Sequence, residues 1–193
     1  MKALKIVGFV LIGILALAFA FVLVQPSKGH VEKSIVINAP ASAIFPHLNN
    51  LKSFTAWSPW SKMDPEAKQT FEGPEAGVGA KMNSYGEIMK QGSQWVEESV
   101  ENERVKTGLV FEGMEGKIWA EFKLSPEGNG TNVTWTYDGE NIGLGGKAMW
   151  ATMGMMLGGQ YEDGLKELKQ LVENSPAAEP SEGMAPSDST TSN

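Results

Sequence analysis

The chain has no cysteine, two histidines (His30 and His47) and a single arginine, Arg104. Without cysteine, disulfides and thiolate metal sites are excluded; the absence is compatible with an oxidising compartment but does not demonstrate one. The two histidines are far apart, and neither has a His or Cys within four residues, so the three or four converging ligands of a zinc site are missing. His47 reads as a helix-surface residue. A nucleic-acid surface needs clustered Lys and Arg to displace counterions, whereas residues 31–174 carry 13 basic against 20 acidic residues. That function is set aside.

Catalytic signatures are also missing. The glycine clusters at 73–79 and 143–146 lack the Gly-Lys-Ser/Thr ending of a phosphate loop, and tight turns explain them. There is no Gly-x-Ser-x-Gly elbow, and Ser58 precedes a proline with no neighbouring base. Neither metal nor cofactor is expected. Glu97, Glu98 and Glu101 read as a solvated sheet face. Glu112 and Glu121, at opposite ends of a hairpin, are the carboxylates that strand register would have to turn inward to make a cavity acid.

Three zones are present. Residues 1–24 are almost wholly apolar, residues 31–174 have a globular composition joined to them by a linker at 25–30, and residues 175–193 are Ser, Pro, Ala and acid. The last zone cannot bury enough surface to offset its chain entropy and is expected to be a disordered tail. Ile6 to Val24 contain no charge over 19 residues, about 28 Å of helix against a hydrocarbon core of about 30 Å. A cleavable signal is the competing reading, because "AFA" at 18–20 resembles a cleavage site. The apolar region of such a signal spans about 7–15 residues, and here "FVLV" continues past the site. Length therefore favours an uncleaved anchor. Lys2 and Lys5 precede it, so positive charge places the N-terminus in the cytoplasm and the globular part on the outer face of the cell membrane.

Within 31–174, "HVEKSIVIN" alternates with period two and reads as a strand. Ile44, Leu48 and Leu51 recur at helical spacing, with Asn38 or Ser42 as candidate caps and Pro46 predicting a short, kinked or two-piece helix. Six short alternating runs follow, separated by turn-prone pieces, which argues for antiparallel hairpins. Residues 147–173 contain no proline, and Trp150, Leu157, Tyr161, Leu165, Leu168 and Val172 keep a 3/4/7 spacing, predicting one long helix. Its glycines predict local irregularity or close packing.

This order of elements resembles the START-like (SRPBCC) superfamily of polyketide cyclase/dehydrase and lipid-transport type, with the Bet v 1-like helix-grip fold. The resemblance covers residues 30–173 and rests on "SIVINAPASAIFPHLNNL", "WSPW" followed by "DP", "GPEAGVGAKM", "GTNVTWTYDGE" and "YEDGLKELKQLVE". It implies an α+β domain: a seven-stranded curved antiparallel sheet around a long C-terminal helix, here preceded by a transmembrane helix. It also implies a cavity between sheet and helix for hydrophobic or amphipathic, lipid-like molecules. Large adaptable side chains expected there are Trp57, Trp60, Leu109, Phe111, Trp135, Tyr137, Met149, Met153 and Met156, with Trp57 inward and Trp60 nearer the rim. Three functions remain open: a membrane-tethered binding module, a cyclase or dehydratase using the same cavity, and an envelope interaction module with a filled core. Protein partners are not indicated.

Overall fold

The computed structural model describes residues 2–88, 90–140 and 142–175, with backbone only at Ala3, Leu4, Met149 and 151–155. The predicted tail lies outside the described residues, apart from its first serine. The N-terminal helix α1 spans Lys2–Val24. It is solvent-exposed along its length, and is long and apolar enough to be a membrane span or a signal sequence. Gln25–Ser27 join it to β1, Lys28–Ile37. The sequence-predicted linker is thus halved, because Lys28, Gly29 and His30 already pair with Glu140, Gly139 and Asp138.

Three short helices follow, α2 (Ala41–Asn49), α3 (Leu51–Trp57) and α4 (Pro59–Met63). The helix expected around Pro46 is in two pieces. Neither Asn38 nor Ser42 caps it: Pro40 stands at the N-cap, and the Asn38 backbone N–H donates instead to Glu173 Oε1 at 2.8 Å. Asn50 caps α3, its Oδ1 accepting from the Lys52 and Ser53 backbone N–H groups at 2.9 and 3.1 Å. Pro59 holds Ser58 extended and opens α4 at its first position, where a missing N–H costs nothing.

Strands β2 (Lys68–Glu72), β3 (Lys81–Gly86), β4 (Lys90–Val100), β5 (Arg104–Phe111), β6 (Lys117–Glu127) and β7 (Gly130–Glu140) form one antiparallel sheet with β1, in the order β1-β7-β6-β5-β4-β3-β2. The last element among the described residues is α5, Gly143–Glu173, which takes in the "GLGG" stretch and starts four residues earlier than the spacing predicts. This helix runs along β1 in the same direction. Gly29 meets the Trp150 ring, Lys33 pairs with Glu162 at 3.7 Å, and Lys169 Nζ donates to the Val36 carbonyl at 2.6 Å. In this way α5 covers one sheet edge, and the short, polar β2 forms the other.

Register gives the sheet two distinct ends. Lys28 and Lys117 both face Glu140, Gly92 faces Phe111, and Gly86 faces Lys90. The starts of β1, β4 and β6 and the ends of β3, β5 and β7 therefore lie together where α1 enters. At the opposite end Ile37, Val105, Leu124 and Val133 pack beneath Ile44, Leu48, Leu168 and Val172, all buried. Each such side chain contributes about 1.5–3 kcal/mol by leaving water. That end is filled; the end at α1 is hollow.

Candidate functional site

A cavity of about 400 Å³ lies between the sheet and α5. Its inner boundary is an aromatic cluster. Trp135 stacks on Tyr161 (centroids 3.8 Å apart) and on Phe122 (4.9 Å), and Phe54 and Trp57 meet Trp135 edge-on at 6.0 and 5.5 Å. Pairs of this kind add about 0.5–1.5 kcal/mol each beyond their burial. Alternation along the strands supplies the sheet-side wall: Leu109 and Phe111 from β5, Ala120 from β6, Tyr137 from β7. The helix supplies Trp150, Leu157 and Tyr161, with the Trp150 ring parallel to that of Tyr137 at 6.1 Å. Met63, Met82 and Met114 also line the space, and such side chains repack around varied shapes.

Some polar groups in the lining are engaged within the protein, whereas Ser58 Oγ and Trp135 Nε1 are buried there without a hydrogen-bond partner. Gln94 Nε2 donates to Thr107 Oγ1 at 3.3 Å, Ser93 Oγ to Asn83 Oδ1 at 2.8 Å, and Gln160 Nε2 contacts Met63 Sδ at 2.9 Å. Asp64 is buried, and its Oδ2 accepts from the Ile88 backbone N–H at 2.9 Å, fixing the β3–β4 turn at the cavity mouth. Burial pushes the Tyr137 phenol up to about 12 and the Tyr161 phenol well above its ordinary value, the latter with help from neighbouring Tyr137 and Asp138. Both phenols therefore stay neutral at physiological pH. Among the described residues no His or Cys lines the cavity and no His, Cys, Asp and Glu group could hold a metal ion.

Of the residues expected at the site, Trp60, Leu109, Phe111, Trp135 and Tyr137 line the cavity. Trp57 does not. It is fully buried behind the lining and its Nε1 donates to the His47 carbonyl at 3.1 Å, so it closes the filled core. Met156 is 57% exposed and faces away. The side chains of Met149 and Met153 lie outside the described residues. A one-residue offset accounts for Met156: the stripe Trp150–Leu157–Tyr161 faces the sheet, and position 156 is about 100° round the helix from position 157. Trp150 and Tyr161 are legible in the sequence as members of that stripe, while positions 149, 153 and 156 fall on a neighbouring one.

Other expectations resolve at the sheet's outer face and in α2. Glu98 pairs with Arg104 at 2.5 Å and with Lys106 at 3.9 Å, and Glu121 lies 3.9 Å from Arg104 and 3.6 Å from Lys123, outside the cavity. Glu112 is exposed at the mouth. His47 is half-buried rather than a surface residue, and its burial lowers its pKa. His30 sits in β1, 2.7 Å from Asp138.

The sequence model of the polyketide cyclase / dehydrase and lipid transport family matches residues 28–173. No curated protein sequence matches the chain. Among solved structures, a protein from Chromobacterium violaceum is 19% identical over 75% of this chain and 97% of its own, with a TM-score of 0.54. One from Nitrosospira multiformis is 20% identical (72% and 93% covered, TM-score 0.55), and one from Mesorhizobium loti 15% identical (76% and 98%, TM-score 0.55). At these identities the likeness is one of fold.

Proposed function

The chain belongs to the polyketide cyclase/dehydrase and lipid-transport family, and from that premise we propose that it is a membrane-tethered module holding one hydrophobic or amphipathic, lipid-like molecule between the sheet and α5. The observation that carries this reading is the cavity of about 400 Å³, within the range of about 300–1,000 Å³ that suits small-molecule sites. Its walls expose mainly apolar surface, with aromatic rings and three methionines among polar side chains such as Ser58, Gln94 and Gln160. In this reading α1 stays uncleaved as a single span, with Lys2 and Lys5 in the cytoplasm and the domain on the outer face. Binding rather than catalysis is favoured because the two carboxylates in the lining serve other places: Asp64 holds the β3–β4 turn, and Glu112 is at the wet mouth.

The test is titration of residues 28–175 with a fluorescent fatty-acid analogue, beside two cavity-filling variants, Ala120→Trp and Leu109→Trp. Saturable binding by the parent and its loss in whichever variant keeps the parent's circular dichroism support the reading. A parent domain with no saturable uptake of apolar probes refutes it.

A further inference from the structure

Among the described residues, the exposed part of the cavity lining sits at one end of the sheet. The exposed members of its lining are Ile88 and Lys90 beside the β3–β4 turn, Glu112 and Gly113 after β5, and Gly145 in the first turn of α5. All five lie at the end of the sheet where α1 enters, because the register brings the end of β3, the start of β4, the end of β5 and the start of β1 together there. We infer that this mouth rests on the surface of the phospholipid bilayer that holds α1, so that an apolar molecule passes between membrane and cavity without crossing bulk water. The inference relies on the reading that α1 stays in the membrane; it does not depend on which molecule the cavity takes.

Three observations fix the geometry. Gln25–Ser27 are the whole connection between α1 and β1, and three extended residues span at most about 10 Å. Lys147 Nζ donates to the Leu23 carbonyl at 3.2 Å, so the start of α5 is bound to the last turn of α1, where a cation is favoured by the exposed carbonyls. Leu23 is near the outer end of the candidate span, which sets Lys147 and the first turn of α5 at the level of the lipid headgroups. Finally, the rim carries bare apolar side chains: Ile88 is 59% and Leu144 53% exposed, on opposite sides of the mouth. Large apolar side chains left bare beside an opening and next to a membrane span suit burial at a lipid interface. The rim charges Glu87, Lys90, Glu112, Glu115 and Lys147 are mixed in sign, which suits a zwitterionic surface.

The absence of cysteine makes the experiment direct. An environment-sensitive fluorophore is attached in the full-length chain at Ile88→Cys or Leu144→Cys at the mouth, and at Glu101→Cys or Asn129→Cys in turns at the opposite end. Each chain is reconstituted in phosphatidylcholine vesicles with and without brominated acyl chains. Blue-shifted emission that brominated lipid quenches at both mouth positions, with neither effect at the far positions, is the expected result. Chains that float with the vesicles but show mouth emission as red and as unquenched as that of the far positions overturn the docking while leaving ligand binding untouched. A chain that does not float with the vesicles overturns the docking together with the tether. Failure of the fatty-acid titration, by contrast, would remove the ligand and not the docking.

Discussion

Gly164 has no room for a β-carbon: one built there would lie 2.9 Å from Trp135 Cζ3 and 3.0 Å from Pro59 Cδ. The glycine lets α5 approach the aromatic floor of the cavity, and Gly164→Ala is expected to destabilise the chain by about 1–3 kcal/mol through overpacking, read as a lower urea midpoint. Trp57 and Trp60, the two tryptophans of "WSPW", separate by packing as well. Trp57→Ala leaves a hole in a closed core and should cost about 3–5 kcal/mol. Trp60, half-buried and edge-on to Tyr161 at 6.3 Å, stands at the cavity; its removal should change probe affinity more than the urea midpoint. His47 gives a pH signature. Burial lowers its pKa, so below about 6.5 the unfolded chain takes up a proton that the folded chain resists, and stability falls as pH drops through that value. Comparing the urea midpoint at about pH 7.5 and about pH 5.5, His47→Gln should show a smaller decline than the parent.

At the scale of elements, the polar cap matters most where the sequence hid it. Asn50 separates α2 from α3 and satisfies two N–H groups of α3, and α3 carries Phe54 and Trp57 into the core. Asn50→Ala is therefore expected to cost about 0.5–2 kcal/mol, measured by denaturation with the near-ultraviolet signal as probe. In β4 the register shifts between Val96 and Glu98. Before the shift Gly92, Gln94 and Val96 are the buried positions; after it Ser99 stands opposite the fully buried Val105. Plain alternation read from the sequence cannot show that change of phase, since one extra residue flips every later side chain.

For the whole molecule, register divides the interior into a filled end and a hollow end, with the aromatic layer between them. The filled end, built from residues of β1, α2, β5, β6, β7 and α5, does not involve α1. Residues 28–175 are expected to unfold cooperatively without α1, as followed by circular dichroism on heating. Filling the cavity with Leu109→Trp should leave that transition in place while abolishing the probe uptake proposed for it, because the filled end holds the close-packed aliphatic core.

Sequence by itself determined the class of most elements: period two in the strands, the 3/4/7 stripe in α5, the uninterrupted apolar run of α1, and the turn residues that make the sheet antiparallel. These are properties of neighbouring residues, and local sterics and partition into water decide them. Tertiary structure alone decided which aromatic faces a cavity and which closes a core. Trp57 and Trp60 are three residues apart, yet the break at Ser58–Pro59 between α3 and α4 turns one toward the His47 carbonyl and the other toward Tyr161. Likewise the spacing located the long helix and its apolar stripe, but only packing along β1 shows that the Trp150–Tyr161 part of that stripe borders a cavity while the part at Leu168 and Val172 closes a core. That choice depends on long-range pairing, which no local pattern carries.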